Sequence, residues 1–92
     1  MARLAGWSAA PEAGAIAKTF RFADFAAAFA WMTRCAAVAE SMNHHPDWRN
    51  VYNRVEVVLT THSARGLTAL DLELAAAMNR LAGEAQEGGG RG

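Results

Sequence analysis

The sequence predicts one α+β domain, laid out as strand, strand, helix, hairpin, helix. Residues 15–22 and 51–62 carry apolar side chains at every second position, as half-buried strands do. Residues 24–42 and 67–84 carry them every three or four positions, as helices buried along one stripe do. The length sets the scale: 92 residues, 52% of them apolar, build one small core and not two.

Within the first fourteen residues Gly6, Pro11 and Gly14 surround Trp7, so a short irregular strand followed by a turn is expected. In AIAKTFRF, residues 15–22, Ile16, Phe20 and Phe22 fall at even positions, while Thr19 and Arg21 fall at odd ones. That alternation gives a second strand. At Asp24, a plausible N-cap, the period changes. Phe25, Phe29, Met32 and Ala36 form one helical stripe, with Trp31, Cys35, Val38 and Met42 beside it, and a long, mostly buried helix is expected. Asn43 followed by Pro46 stops it.

NVYNRVEVVLTTH, residues 50–62, returns to period two. Val51, Val55, Val57 and Leu59 share one face, and Tyr52, Arg54, Glu56, Val58, Thr60 and His62 share the other. Asn53 and Arg54 supply either a hairpin turn or a bulge. After the SARG loop, Thr68 is an N-cap with Asp71 three residues later, and Leu67 and Leu72 are placed as a hydrophobic staple. The core stripe of this second helix is expected to include Leu70, Leu74, Met78 and Leu81. Residues 85–92, AQEGGGRG, hold four glycines and no apolar period, so a disordered tail is expected there and the domain is placed at residues 1–84.

Nine basic residues balance nine acidic ones, without the Lys/Arg run that nucleic acid or an anionic membrane would require. Neither partner is expected. Cys35 is the sole cysteine, which rules out an intramolecular disulfide, and its apolar helical setting fits a buried thiol in a reducing cytoplasm. The chain shows no signal-peptide pattern and no apolar run long enough to span a bilayer, so a soluble cytoplasmic protein is expected. A core this small gains from association between copies.

Two of the three histidines stand together in MNHHPDWRNVY, residues 42–52, where helix gives way to strand. Pro46 disfavours helical backbone at His45, so His44 and His45 are extended and their rings point to opposite sides. His62 ends a strand on its non-core face. The residues alone leave three readings open. The histidines are surface or capping groups, metal ligands, or acid–base catalysts that work near neutral pH without a cofactor. The pattern has neither HExxH nor a Cys/His ligand spacing, and no metal is expected.

ESMNHHPDWRNVYNRVEVVLTTHSARGLTALDLELA, residues 40–75, closely resembles the signature of the pterin-4a-carbinolamine dehydratases: an acidic residue, HHP, a strand pair ending in TH, then GL[ST]xxD. The resemblance continues through GW at residues 6–7, FRFADFAAAFAWMTR at 20–34 and AE at 39–40. It implies a four-stranded antiparallel sheet with helices packed on one face, assembled as a homodimer or homotetramer. It also implies the family's reaction, dehydration of a 4a-hydroxytetrahydropterin, the product of aromatic amino acid hydroxylases, to a quinonoid dihydropterin. That step needs an acid and a base and no redox centre, hence no cofactor.

Carried over by motif, His44, His45 and His62 line the pterin pocket, with His44 and His62 as proton-transfer groups and His45 for binding or positioning. Asp71 orients an imidazole or a substrate group, a role compatible with its place in the capping box. Glu40 supports a histidine or is simply solvated; Trp48 walls the flat pterin or packs at the strand start. The alternatives to this function are a binding or assembly protein without catalysis, since fold alone does not fix function, and a dehydratase acting on another pterin such as oxidised molybdopterin.

Overall fold

The computed structural model describes residues 5–10, 14–61 and 66–91, with side chains as far as Gly83. Among these residues six elements follow one another: β1 (Ser8–Ala9), β2 (Ile16–Arg21), α1 (Phe25–Met42), β3 (Asp47–Val51), β4 (Arg54–Leu59) and α2 (Ala69–Arg91). The strands form one sheet in the order β1-β2-β4-β3, antiparallel throughout. Register puts Ile16, Lys18 and Phe20 opposite Leu59, Val57 and Val55, and Trp48 opposite Val57. These residues share the face on which both helices lie, and Phe20, Val55, Val57 and Leu59 join Trp31, Leu74 and Met78 in the core.

The hairpin turn is Tyr52–Asn53, with Val51 paired to Arg54, so Arg54 already belongs to β4. A two-residue loop reverses the parity of the alternation. Val51 therefore stands with Arg54 on the helix-free face, at 40% exposure, and not with Val55, Val57 and Leu59. Asn53 fastens the turn to β2, donating from Nδ2 to the Phe22 carbonyl and accepting the Phe22 N–H, each at 2.9 Å. Tyr52 takes φ 53°, a left-handed conformation unusual for a large side chain.

Asp24 caps α1, accepting the Ala27 N–H at 2.9 Å. The buried line of α1 is Ala28, Trp31, Cys35 and Ala39, rotated from the expected stripe. Phe25 and Phe29 lie 47% and 54% exposed and stack on each other, and only one side of the helix is buried. The helix is apolar nearly all round, so period alone does not choose the inward face. Trp31 chooses it: its indole N–H bonds the Met78 carbonyl at 3.1 Å, and its ring packs on Phe20 and Phe22. Alanines at 28 and 39 then let the surrounding chain approach closely.

In α2 the inward line is Asp71, Leu74, Ala75, Met78, Leu81 and Ala82. Leu70, expected in the core, is exposed, as are Leu67 and Leu72 of the expected staple. A carboxylate with buried partners occupies the inward slot of the first turn and displaces them outward. The helical backbone continues through residues 85–91, in place of the irregular tail that the glycines suggest. Ala85, Gln86 and Glu87 are good helix formers and carry the turn onward from Gly83.

Candidate active site

The end of α1 places the histidine pair. Asn43 takes the left-handed conformation, φ 52°, and its N–H reaches the carbonyls of Ala39 and Glu40. The His44 N–H then bonds the Ala39 carbonyl at 3.0 Å, closing a helix-terminating reversal. This reversal turns His44 back beneath the helix, to 9% exposure, and sends His45 outward with its side chain 58% exposed.

The start of α2 supplies the partner. The Asp71 carboxylate, with no solvent exposure, accepts the Thr68 N–H on Oδ2 at 3.0 Å, and the Thr68 hydroxyl accepts the Leu70 N–H at 3.3 Å. This is a capping pair with Asp in the third helical position. The other oxygen, Oδ1, lies 2.6 Å from His44 Nε2. Thr61, just past the end of β4, donates its hydroxyl to Oδ2 at 2.7 Å and lies 2.9 Å from the Thr68 hydroxyl. Burial pushes the Asp71 carboxyl upward, but donors from His44, Thr61 and Thr68, together with the charge of His44, outweigh it and hold the group below its ordinary value. Asp71 is thus an ionised acceptor. When it is neutral, the His44 ring can satisfy this acceptor only through an Nε2 proton, which puts its lone pair on Nδ1.

Glu40, one turn back on α1, meets His45 Nε2 at 2.9 Å on the surface. Trp48 packs against the core, its ring centroid 6.2 Å from that of Trp31. His62 lies outside the described residues. Its neighbour Thr61 and the following Gly66 exchange two backbone hydrogen bonds, of 3.0 and 3.2 Å. The structure therefore joins His44 to Asp71 and His45 to Glu40, as two separate pairs on opposite sides of the chain. The Thr68 cap was expected from the sequence; the hydroxyl of Thr61 is support that sequence reasoning did not assign, and the Thr beside His62 was the signal available.

Among the described residues no three His, Cys, Asp or Glu side chains converge as metal ligands would. Two surface hollows, of about 470 and 330 Å³, border Lys18 and Thr19, and neither is lined by His44, His45, Asp71, Glu40 or Trp48.

The family model for pterin 4 alpha carbinolamine dehydratase matches residues 1–81. A Sinorhizobium medicae protein, provisionally named a pterin-4-alpha-carbinolamine dehydratase, is 58% identical over 80 residues, covering 87% of this chain and 76% of that one. A Bradyrhizobium diazoefficiens protein with the same provisional name is 62% identical over 76 residues, covering 83% and 76%. A Brucella melitensis crystal structure described as a transcriptional coactivator/pterin dehydratase superposes with a TM-score of 0.85 at 48% identity, over 87% of this chain and 85% of the other. A pterin dehydratase-like protein described as a RuBisCO assembly factor of the alpha-carboxysome shares the fold, with a TM-score of 0.74 at 22% identity over 88% and 94% of the two chains. On the extent of these matches, the chain belongs to the pterin 4 alpha carbinolamine dehydratase family.

Proposed function

We propose that this protein dehydrates a 4a-hydroxytetrahydropterin to the quinonoid dihydropterin and water, in the recycling of the tetrahydropterin spent by an aromatic amino acid hydroxylase. The observation that supports this reading most is His44, held through Nε2 by a buried carboxylate, a contact that in the neutral ring assigns the lone pair to Nδ1. That is the arrangement of a general base whose tautomer is fixed by an acid partner.

In the proposed reaction the C4a hydroxyl takes a proton and leaves as water. The proton on N5 is lost, and its bonding pair becomes the C4a=N5 double bond. No electron leaves the pterin, so no redox cofactor is called for. His44 Nδ1 takes the N5 proton, His62 gives the proton to the hydroxyl, and Asp71 stabilises the imidazolium that forms on His44. His45, steadied by Glu40, positions the pterin, and Trp48 offers it an apolar wall. One well-placed proton donor or acceptor is worth about 10² to 10⁴ in rate, enough to matter for a dehydration that also proceeds unaided.

The test supplies purified protein with 4a-hydroxytetrahydropterin generated in place by a hydroxylase and follows formation of the quinonoid product. His44→Ala and His62→Ala should each lower the rate by roughly 10- to 10³-fold; His44→Ala should also melt lower, because it leaves the buried Asp71 carboxylate short of a partner, so its rate is read per folded molecule. A wild-type rate equal to the unaided one would overturn the enzymatic reading and leave an assembly or binding role. The same assay with an oxidised molybdopterin substrate separates the two dehydratase readings.

A further inference from the structure

The order of protons around Asp71 singles out a residue that the motif does not assign a task. An ionised carboxylate only accepts hydrogen bonds. The Thr61 hydroxyl has one proton, and at 2.7 Å from Oδ2 that proton is spent on Asp71. In the contact between the two threonine hydroxyls, 2.9 Å, Thr68 must therefore be the donor and Thr61 the acceptor. The Leu70 N–H in turn points into the Thr68 hydroxyl. The chain runs one way: Leu70 N–H to Thr68, Thr68 to Thr61, Thr61 to Asp71. Oδ2 is then filled by Thr61 and the Thr68 N–H, which leaves Oδ1 as the oxygen that faces His44.

We propose that Thr61 is a positioning residue for the reaction proposed above: its hydroxyl locks the Asp71 carboxylate so that Oδ1 alone meets His44. Without its hydroxyl the carboxylate keeps only the Thr68 N–H on Oδ2 and gains freedom to turn. The hold on the Nε2–H tautomer of His44 then weakens, and Nδ1 carries the proton in part of the population.

The test substitutes Thr61→Val, which keeps the shape, and Thr61→Ser, which keeps the hydroxyl. Two readouts are taken: the tautomer of His44 by nitrogen NMR on the ligand-free protein, and kcat and KM in the hydroxylase-coupled assay. Thr61→Val should give a mixed tautomer and a kcat lower by about 10- to 100-fold, the usual effect of losing a group that orients a functional ligand, with KM within about twofold. Thr61→Ser should restore both. If Thr61→Val does not fold, Thr61→Ala, which removes the hydroxyl without placing a methyl against the carboxylate, is read in the same way. A wild-type tautomer in the variant lacking the hydroxyl overturns the proposal, as does an unchanged kcat. Absence of turnover in the wild type would instead overturn the dehydratase reading, while the tautomer continues to judge Thr61.

Discussion

Removing the Asp71 carboxylate should be the most damaging single change near the candidate site, and its size follows from who loses a partner. In Asp71→Ala the His44 Nε2–H, the Thr61 hydroxyl and the Thr68 N–H lose their acceptor. Thr61 recovers by turning to Thr68, 2.9 Å away, and the Thr68 N–H at the helix start is within reach of water. His44 is the group left with a buried donor and no acceptor, at about 1–3 kcal/mol, and loss of the capping interaction adds about 1 kcal/mol. The expected destabilisation is about 3 kcal/mol, large against a total of about 5–15 kcal/mol yet survivable. Asp71→Asn keeps one acceptor oxygen and should cost about half as much.

The assay is urea unfolding followed by circular dichroism, repeated from neutral to acid pH. Asp71 has a folded value below its ordinary 3.8, so the stability it contributes is complete above that pH and is lost as the pH falls from there through the folded value. The gap between wild type and Asp71→Asn should therefore narrow below about pH 4. A loss under about 0.5 kcal/mol in Asp71→Ala, or a gap that stays constant into acid, would refute the account of Asp71 as a buried ionised acceptor.

Burial pushes the Cys35 thiol up to about 12, against a small opposing pull from Arg34, so native protein should resist alkylation at pH 8 and react fully in urea. The unfolded thiol ionises first, from about 9.0, so stability should also fall as pH rises through that range. Asp24→Ala removes the α1 cap and should lower stability by about 1 kcal/mol in the same urea assay, with no change meaning that the cap is idle. Light scattering should report a dimer or larger, because Phe25 and Phe29 on α1 and Leu67, Leu70 and Leu72 about the start of α2 remain exposed; a single-chain mass at all concentrations contradicts this. Dehydration should survive exhaustive chelation, since the proposed step moves only protons, and turnover restored by zinc alone would count against it.

The strands were legible because period two survives in side chains that face a single apolar layer: Phe20, Phe22, Val55, Val57 and Leu59 lie inward as their spacing dictates. Val51 escaped the pattern because the turn falls one residue earlier than Asn53–Arg54, and parity is lost across it. The first helix was legible in extent and misleading in face; in the second, Leu74, Met78 and Leu81 lie inward as expected and Leu70 does not. Alanines leave the first helix apolar nearly all round, so its inward direction is set by a long-range partner, Met78 for Trp31, that no local window contains; in the second, His44 holds Asp71 inward where Leu70 was expected. The histidine pair and Asp71 stood out by motif, and the opposite directions of His44 and His45 follow from Pro46. Thr68 stood out as the helix cap, whereas Thr61 did not, because a hydroxyl at a strand end is usually spent on water.

The sheet order also governs when the candidate site exists. β3 and β4 are joined by two residues and pair locally, on a scale of about 1–10 μs for a hairpin. The seam between β2 and β4 joins chain segments from either side of α1 and β3, and its closure waits on a large loop. His44 and Asp71 are 27 residues apart and meet only when α2 is packed against α1. Assembly of the Asp71–His44 pair is therefore a report on the whole cooperative transition. A substitution in the β2–β4 seam, far from any histidine, should lower the number of molecules that hold the pair while leaving the turnover of each folded molecule unchanged.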